Sequence, residues 1–178
     1  MKYYIVVALL FLLAMMQVTV VRHIAVGQIV PQMVLVACLA WAMIHGMKEG
    51  VIWAFIGGIF LDTISPTPFG IFSISMMIAA LLVGMLEERS FSTVTMYSVL
   101  ILTIVGSFVY SLVFVLLSKL YHVLWGGVWD ISFSYLTNFS LLQIVYHVIL
   151  IFIAYFALTK LGEFMENFEN RTRFVNFK

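Results

Sequence analysis

Charge is scarce in this sequence. Of its 178 residues only 10% are Asp, Glu, Lys or Arg, against about 25% in a soluble domain. Hydrophobic residues make up 64% and the mean hydropathy is +1.14. Those values exclude a soluble globular domain and point to an all-α, polytopic integral membrane protein. No basic cluster occurs before the last residues and the formal net charge is +1, so nothing suggests a nucleic-acid partner. There is one cysteine, Cys38, inside an apolar run. It has no partner for an internal disulfide and reads as a small buried hydrophobe. The four histidines, His23, His45, His122 and His147, are scattered without metal-ligand spacing. The only aspartates, Asp62 and Asp130, do not form the facing pair that aspartyl chemistry needs. Gly57-Gly58 lacks the following lysine of a phosphate-binding loop. The expectation is a protein without catalytic residues, metal or cofactor.

Six apolar spans account for most of the chain, at about 3–21, 29–45, 50–64, 69–86, 94–117 and 139–158. The first exceeds a signal-peptide core in length and no cleavage pattern follows it, so it reads as a retained helix. Pro31 sits where the first turn of the second span is expected. Six spans put both termini on one side. Seven basic residues (Lys2, Lys48, Arg89, Lys160, Arg171, Arg173 and Lys178) fall on that side, and Arg22 and Lys119 on the other. The excess places both termini in the cytoplasm.

The third span carries the densest pattern. Gly46, Gly50, Ala54, Gly58 and Asp62 recur every four residues and stack along one ridge of a helix about 24 Å long. Gly57 lies beside them. Small residues at this spacing let a second helix backbone approach closely, which favours association in lipid. The ridge therefore serves helix packing within the chain or the binding of a partner helix. It ends in a carboxylate, and Ser65, Pro66, Pro68 and Gly70 then form a tight loop. A carboxylate at membrane depth is costly and marks a functional candidate. Asp62 either caps the Ser65–Gly70 loop through backbone N–H groups, bonds a partner helix, or lines a ligand pocket.

Residues 118–138 form the longest connection and hold Tyr121, Trp125 and Trp129, which share one face if helical. This stretch reads as an interfacial segment on the extracytoplasmic side or as a docking surface there. The final stretch, 160–178, places Leu161, Phe164, Met165 and Phe168 on one face and reads as an amphipathic cytoplasmic tail beside the membrane lipid.

Gly50, Gly57, Gly58, Asp62, Ser65, Pro66, Pro68, Phe69 and Gly70 together resemble the signature of the rod shape-determining protein MreD family. The resemblance is strongest over residues 46–84. It implies a non-enzymatic scaffold of the bacterial cytoplasmic membrane, in the cell-elongation (rod) complex that governs lateral peptidoglycan synthesis. The implied partners are the single-span protein MreC, the polymerase RodA with its transpeptidase, and MreB filaments. The family is also similar in fold to substrate-binding subunits of energy-coupling-factor transporters. This leaves a vitamin-type transport subunit as the alternative.

Overall fold

A computed structural model describes residues 2–19, 31–90, 95–125 and 143–160. Among the described residues there are six helices and no strand: α1 (Lys2–Thr19), α2 (Met33–His45), α3 (Met47–Ile64), α4 (Ile71–Ser90), α5 (Met96–Trp125) and α6 (Gln143–Lys160). The windows Ile71–Arg89, Met96–Leu124 and Gln143–Lys160 are long and apolar enough to cross a membrane, while α1 and α2 are shorter apolar helices.

The bundle is built around α2. Ten consecutive residues, Val34 to Met43, are buried, and a helix that is apolar all round must be enclosed on every side. It packs on α1, α3, α4 and α5, and Gln32, just before its first turn, is bonded to α6. Pro31 lies outside this helix. Gln32 is the N-cap, and its carbonyl accepts the first helical bond from Val36 N–H at 3.1 Å. The sequence reading placed Pro31 in the first turn; the helix instead starts two residues later.

Gly46 alone joins α2 to α3. Its φ of 87° is the left-handed backbone that glycine adopts without a Cβ penalty, and it reverses the chain in one residue. The pairing of α3 with α4 is the most extensive in the bundle. Residues 65–70 connect them, and Gly70, at φ 98°, turns the chain into α4.

At 30 residues, α5 spans about 45 Å, well beyond a hydrocarbon core of about 30 Å. Its Phe114 packs at a tilt against Phe72 in the first turn of α4, with centroids 5.2 Å apart. The eleven residues beyond Phe114 therefore carry α5 about 16 Å past that level. Residues 118–125, which the sequence reading gave to a loop, continue the helix. Leu117 and Tyr121 still pack against the core, which supplies the tertiary support for that extension.

Four of the hydroxyl groups buried in α4 and α5 are satisfied inside their own helices. Ser75 donates to Ile71 O, Thr103 to Val99 O, Ser111 to Ser107 O and Ser118 to Phe114 O, all between 2.6 and 2.9 Å. Such back-bonding lets polar residues sit in an apolar bundle without an unmade hydrogen bond.

Candidate functional site

Asp62 is 4% exposed in the last turn of α3. Its Oδ1 accepts from Phe72 N–H at 3.0 Å, and its Oδ2 accepts from Ser73 N–H at 3.0 Å and from the Ser73 hydroxyl. Phe72 and Ser73 are the second and third residues of α4, where N–H groups have no partner inside the helix. The residue that precedes α4 is Gly70, which has no side chain to cap the helix, so Asp62 fills the role from the neighbouring helix. Its charge also sits at the positive end of the α4 dipole. The acceptors are thus met beyond the Ser65–Gly70 loop, on the helix that the loop leads into. Within the loop, Ser65 N–H returns to Leu61 O at 2.8 Å and the Thr67 hydroxyl donates to Ser65 Oγ at 3.3 Å.

The ridge above Asp62 lies against the chain's own helices. A Cβ on Gly58 would lie 2.8 Å from Ser73 N and closer still to Ser73 Cα. On Gly50 it would lie 2.6 Å from Ala42 Cα. On Gly57 it would lie 2.8 Å from Val34 Cγ1 and 3.5 Å from Cys38 Sγ. Ala54 is fully buried between these contacts. Close approach at Gly58 is what brings α4 within reach of the Asp62 carboxylate. The ridge and the carboxylate are one construction.

Gly84 repeats the device at the other end of α4, where a Cβ would lie 2.6 Å from Met47 Cα. There Glu88 Oε1 accepts from Met47 N–H at 3.3 Å, at the start of α3. Beside it, Trp41 donates its indole N–H to Glu49 Oε2 at 3.1 Å and stacks on His45.

A second buried polar cluster opens α2. Gln17 in α1 accepts from Val34 N–H at 3.0 Å and donates to Gln32 Oε1. Gln32 N–H donates to His147 Nε2 at 3.1 Å, and His147 Nδ1 lies 2.7 Å from Ser107 Oγ. This chain of bonds ties α1, α2, α6 and α5 together at fully buried His147. None of these residues except His147 stood out in the sequence. Gln17 interrupts an apolar run, which is the signal that could have found it.

The starts of α2, α3 and α4 are therefore capped by Gln17, Glu88 and Asp62, each from another helix. Both Asp62 oxygens are engaged, and His147 is bonded at both ring nitrogens. Among the described residues no group of three or more His, Cys, Asp or Glu could hold a metal ion. Tyr121 is half-buried near the end of α5. Trp129, the Trp125 side chain and residues 161–178 lie outside the described residues.

The family model for rod shape-determining protein MreD matches residues 1–165. No curated protein and no solved structure matches. A match over nearly the whole chain, on a helical bundle in which three helices among the described residues are long and apolar enough to cross a membrane, shows that the chain belongs to the MreD family of rod shape-determining proteins.

Proposed function

We propose that the chain is a non-enzymatic scaffold of the bacterial cytoplasmic membrane. It crosses six times with both termini in the cytoplasm, and binds an MreC-type single-span protein. Through that protein it acts with RodA, its transpeptidase and MreB filaments to control lateral peptidoglycan synthesis. The match to the MreD family over residues 1–165 carries this reading. The geometry supports it, because the polar groups of the two buried clusters fix helices to one another.

Gly50, Ala54, Gly57 and Gly58 serve internal packing in this proposal, since α2 and α4 already occupy the space beside them, whereas Gly46, expected on the same ridge, lies outside the helix and serves the turn between α2 and α3. The Ser65, Pro66, Pro68 and Gly70 loop sets the angle at which α4 returns to Asp62. Partner contact then falls to other surfaces. We assign Tyr121, Trp125 and Trp129 to the extracytoplasmic docking of the partner's juxtamembrane segment. The protruding end of α5 supports that assignment, with Leu120 53% and Val123 78% exposed.

Co-purification in mild detergent with the MreC-type protein of the same cell tests the reading, combined with depletion of this chain. Recovery of the partner and conversion of rods to spheres are expected. Rod-shaped depleted cells from which no partner is recovered would overturn it.

A further inference from the structure

Of the three helices long and apolar enough to cross a membrane, α6 is the least enclosed. Buried residues make up 22% of Gln143–Lys160, against 50% of the corresponding windows in α4 and α5. Among the described residues, α6 is hydrogen-bonded to the rest of the bundle through His147 alone. The two bonds differ in what they permit. A hydroxyl can donate or accept, so Ser107 suits either state of Nδ1. Gln32 N–H can only donate, so Nε2 must stay bare. The acceptors beside it are already engaged, Gln32 Oε1 by Gln17 and Gln17 Oε1 by Val34 N–H.

We propose that His147 is an acid-operated latch between α6 and the start of α2. A proton taken up at Nε2 sets its N–H against the Gln32 N–H, donor against donor, and that bond breaks. The Nδ1–H bond to Ser107 survives as a pivot. Gln17 still holds Val34 N–H, so the parting falls between α6 and α2. Charge acts in the same direction. The His147 side chain is fully buried, and a buried charge is costly unless it is paired. The cluster around it, Gln17, Gln32 and Ser107, is neutral. Within two turns of Ser107 on α5 and of His147 on α6, the titratable groups are the phenols of Tyr110 and Tyr146, a group uncharged at and below neutral pH. Lys119 and His122 lie about 18 Å or more further along α5, and Lys160 about 20 Å along α6. The ionisable residues of α1, Lys2, Tyr3 and Tyr4, are in its first turn, at the opposite end from Gln17. Those of α2 are His45, at its far end, and Cys38, which faces Gly57 of α3. Acid therefore favours an arrangement in which the ring reaches water, and half-buried Gln32 marks the way in. With both termini in the cytoplasm, the proton arrives from outside the cell; that last step alone rests on the topology proposed above.

The test uses the full chain carrying Cys38→Ala in nanodiscs, whose two faces are both open to buffer, so the latch is measured whatever the topology. Spin labels attached through Val145→Cys and Phe69→Cys, both exposed positions, report α6 against the loop before α4 by double electron–electron resonance. Between about pH 7.5 and about pH 4, a second distance displaced by about 5 Å, the scale of a one-turn slip, is expected. A reference pair through Phe69→Cys and Leu120→Cys keeps one distance. His147→Gln supplies an acceptor that takes up no proton, and its α6 distance is expected not to vary with pH. Where His147→Gln fails to fold, His147→Asn takes its place. An unchanged α6 distance down to about pH 4 overturns the latch, as does an equal change in a folded His147 variant. So does a matching change in the reference pair, because acid then loosens the whole bundle.

Discussion

Asp62 holds Ser73 twice, through the backbone N–H at 3.0 Å and through the side-chain hydroxyl. Together with the bond from Phe72 N–H, this makes the end of α3 the cap of α4. Replacing Asp62 by Ala leaves two buried N–H groups without an acceptor, at about 1–3 kcal/mol for each unmade buried bond. Replacing it by Asn keeps one acceptor and turns an amide NH₂ toward the other donor. Thermal unfolding in detergent should therefore rank wild type above Asp62→Asn and Asp62→Asn above Asp62→Ala. An Asn variant as unstable as the Ala variant would mean that charge, and not hydrogen bonding, is what matters at this position.

Glu88 provides a contrast at the opposite end of α4. It also accepts from a helix-start N–H, Met47 at 3.3 Å, but it is exposed. Water can replace it, so Glu88→Ala should cost about 0.5 kcal/mol, well under Asp62→Ala in the same unfolding assay. Equal losses would show that burial does not set the worth of these caps.

Much of the Asp62 site was legible because the sequence offers a lone carboxylate in an apolar run, preceded by small residues at a spacing of four. Its partner was not. Helical periodicity says which residues share a face of α3, but it does not say that the face meets the first turn of α4 instead of the loop. The end of α5 was hidden for a different reason. Leu120, Tyr121 and Val123 suit an interfacial loop and a protruding helix equally well, and only the packing of Leu117 and Tyr121 on the core decides. The Gln17–Gln32–His147–Ser107 cluster joins residues up to 115 apart, a relationship that no local pattern carries.

Two glycines of the ridge should respond differently to an added methyl group. At Gly58 the obstacle is the Ser73 backbone, which cannot move without parting α3 from α4 and breaking the Asp62 cap. Gly58→Ala should cost more than the 1–3 kcal/mol typical of overpacking. At Gly50 the obstacle is Ala42, first its Cβ and then its Cα at 2.6 Å. Ala42→Gly should therefore restore part, but not all, of the stability lost in Gly50→Ala, and should do nothing for Gly58→Ala. A double-mutant cycle on unfolding free energies measures this. Additive losses at Gly50 and Ala42 would refute the close contact between α2 and α3.

The hydrogen bonds of His147 fix its tautomer. A backbone N–H can only donate, so Nε2, which faces Gln32 N at 3.1 Å, must be the unprotonated acceptor. The proton of the neutral ring then lies on Nδ1 and is donated to Ser107 Oγ at 2.7 Å. This is testable directly by solid-state nitrogen-15 spectroscopy of the labelled protein in lipid. Nδ1 is expected to show the shift of a protonated nitrogen and Nε2 that of a bare one. Ser107→Ala removes only the Nδ1 partner and should cost about 1 kcal/mol, in the range of hydrogen bonds between membrane helices. His147→Ala also strands the Gln32 N–H at the start of α2 and opens a cavity between α5 and α6, so it should cost several times as much. If the spectrum placed the proton on Nε2, the bond to Gln32 could not exist, and the tie between α2 and α6 would have to rest on apolar packing alone.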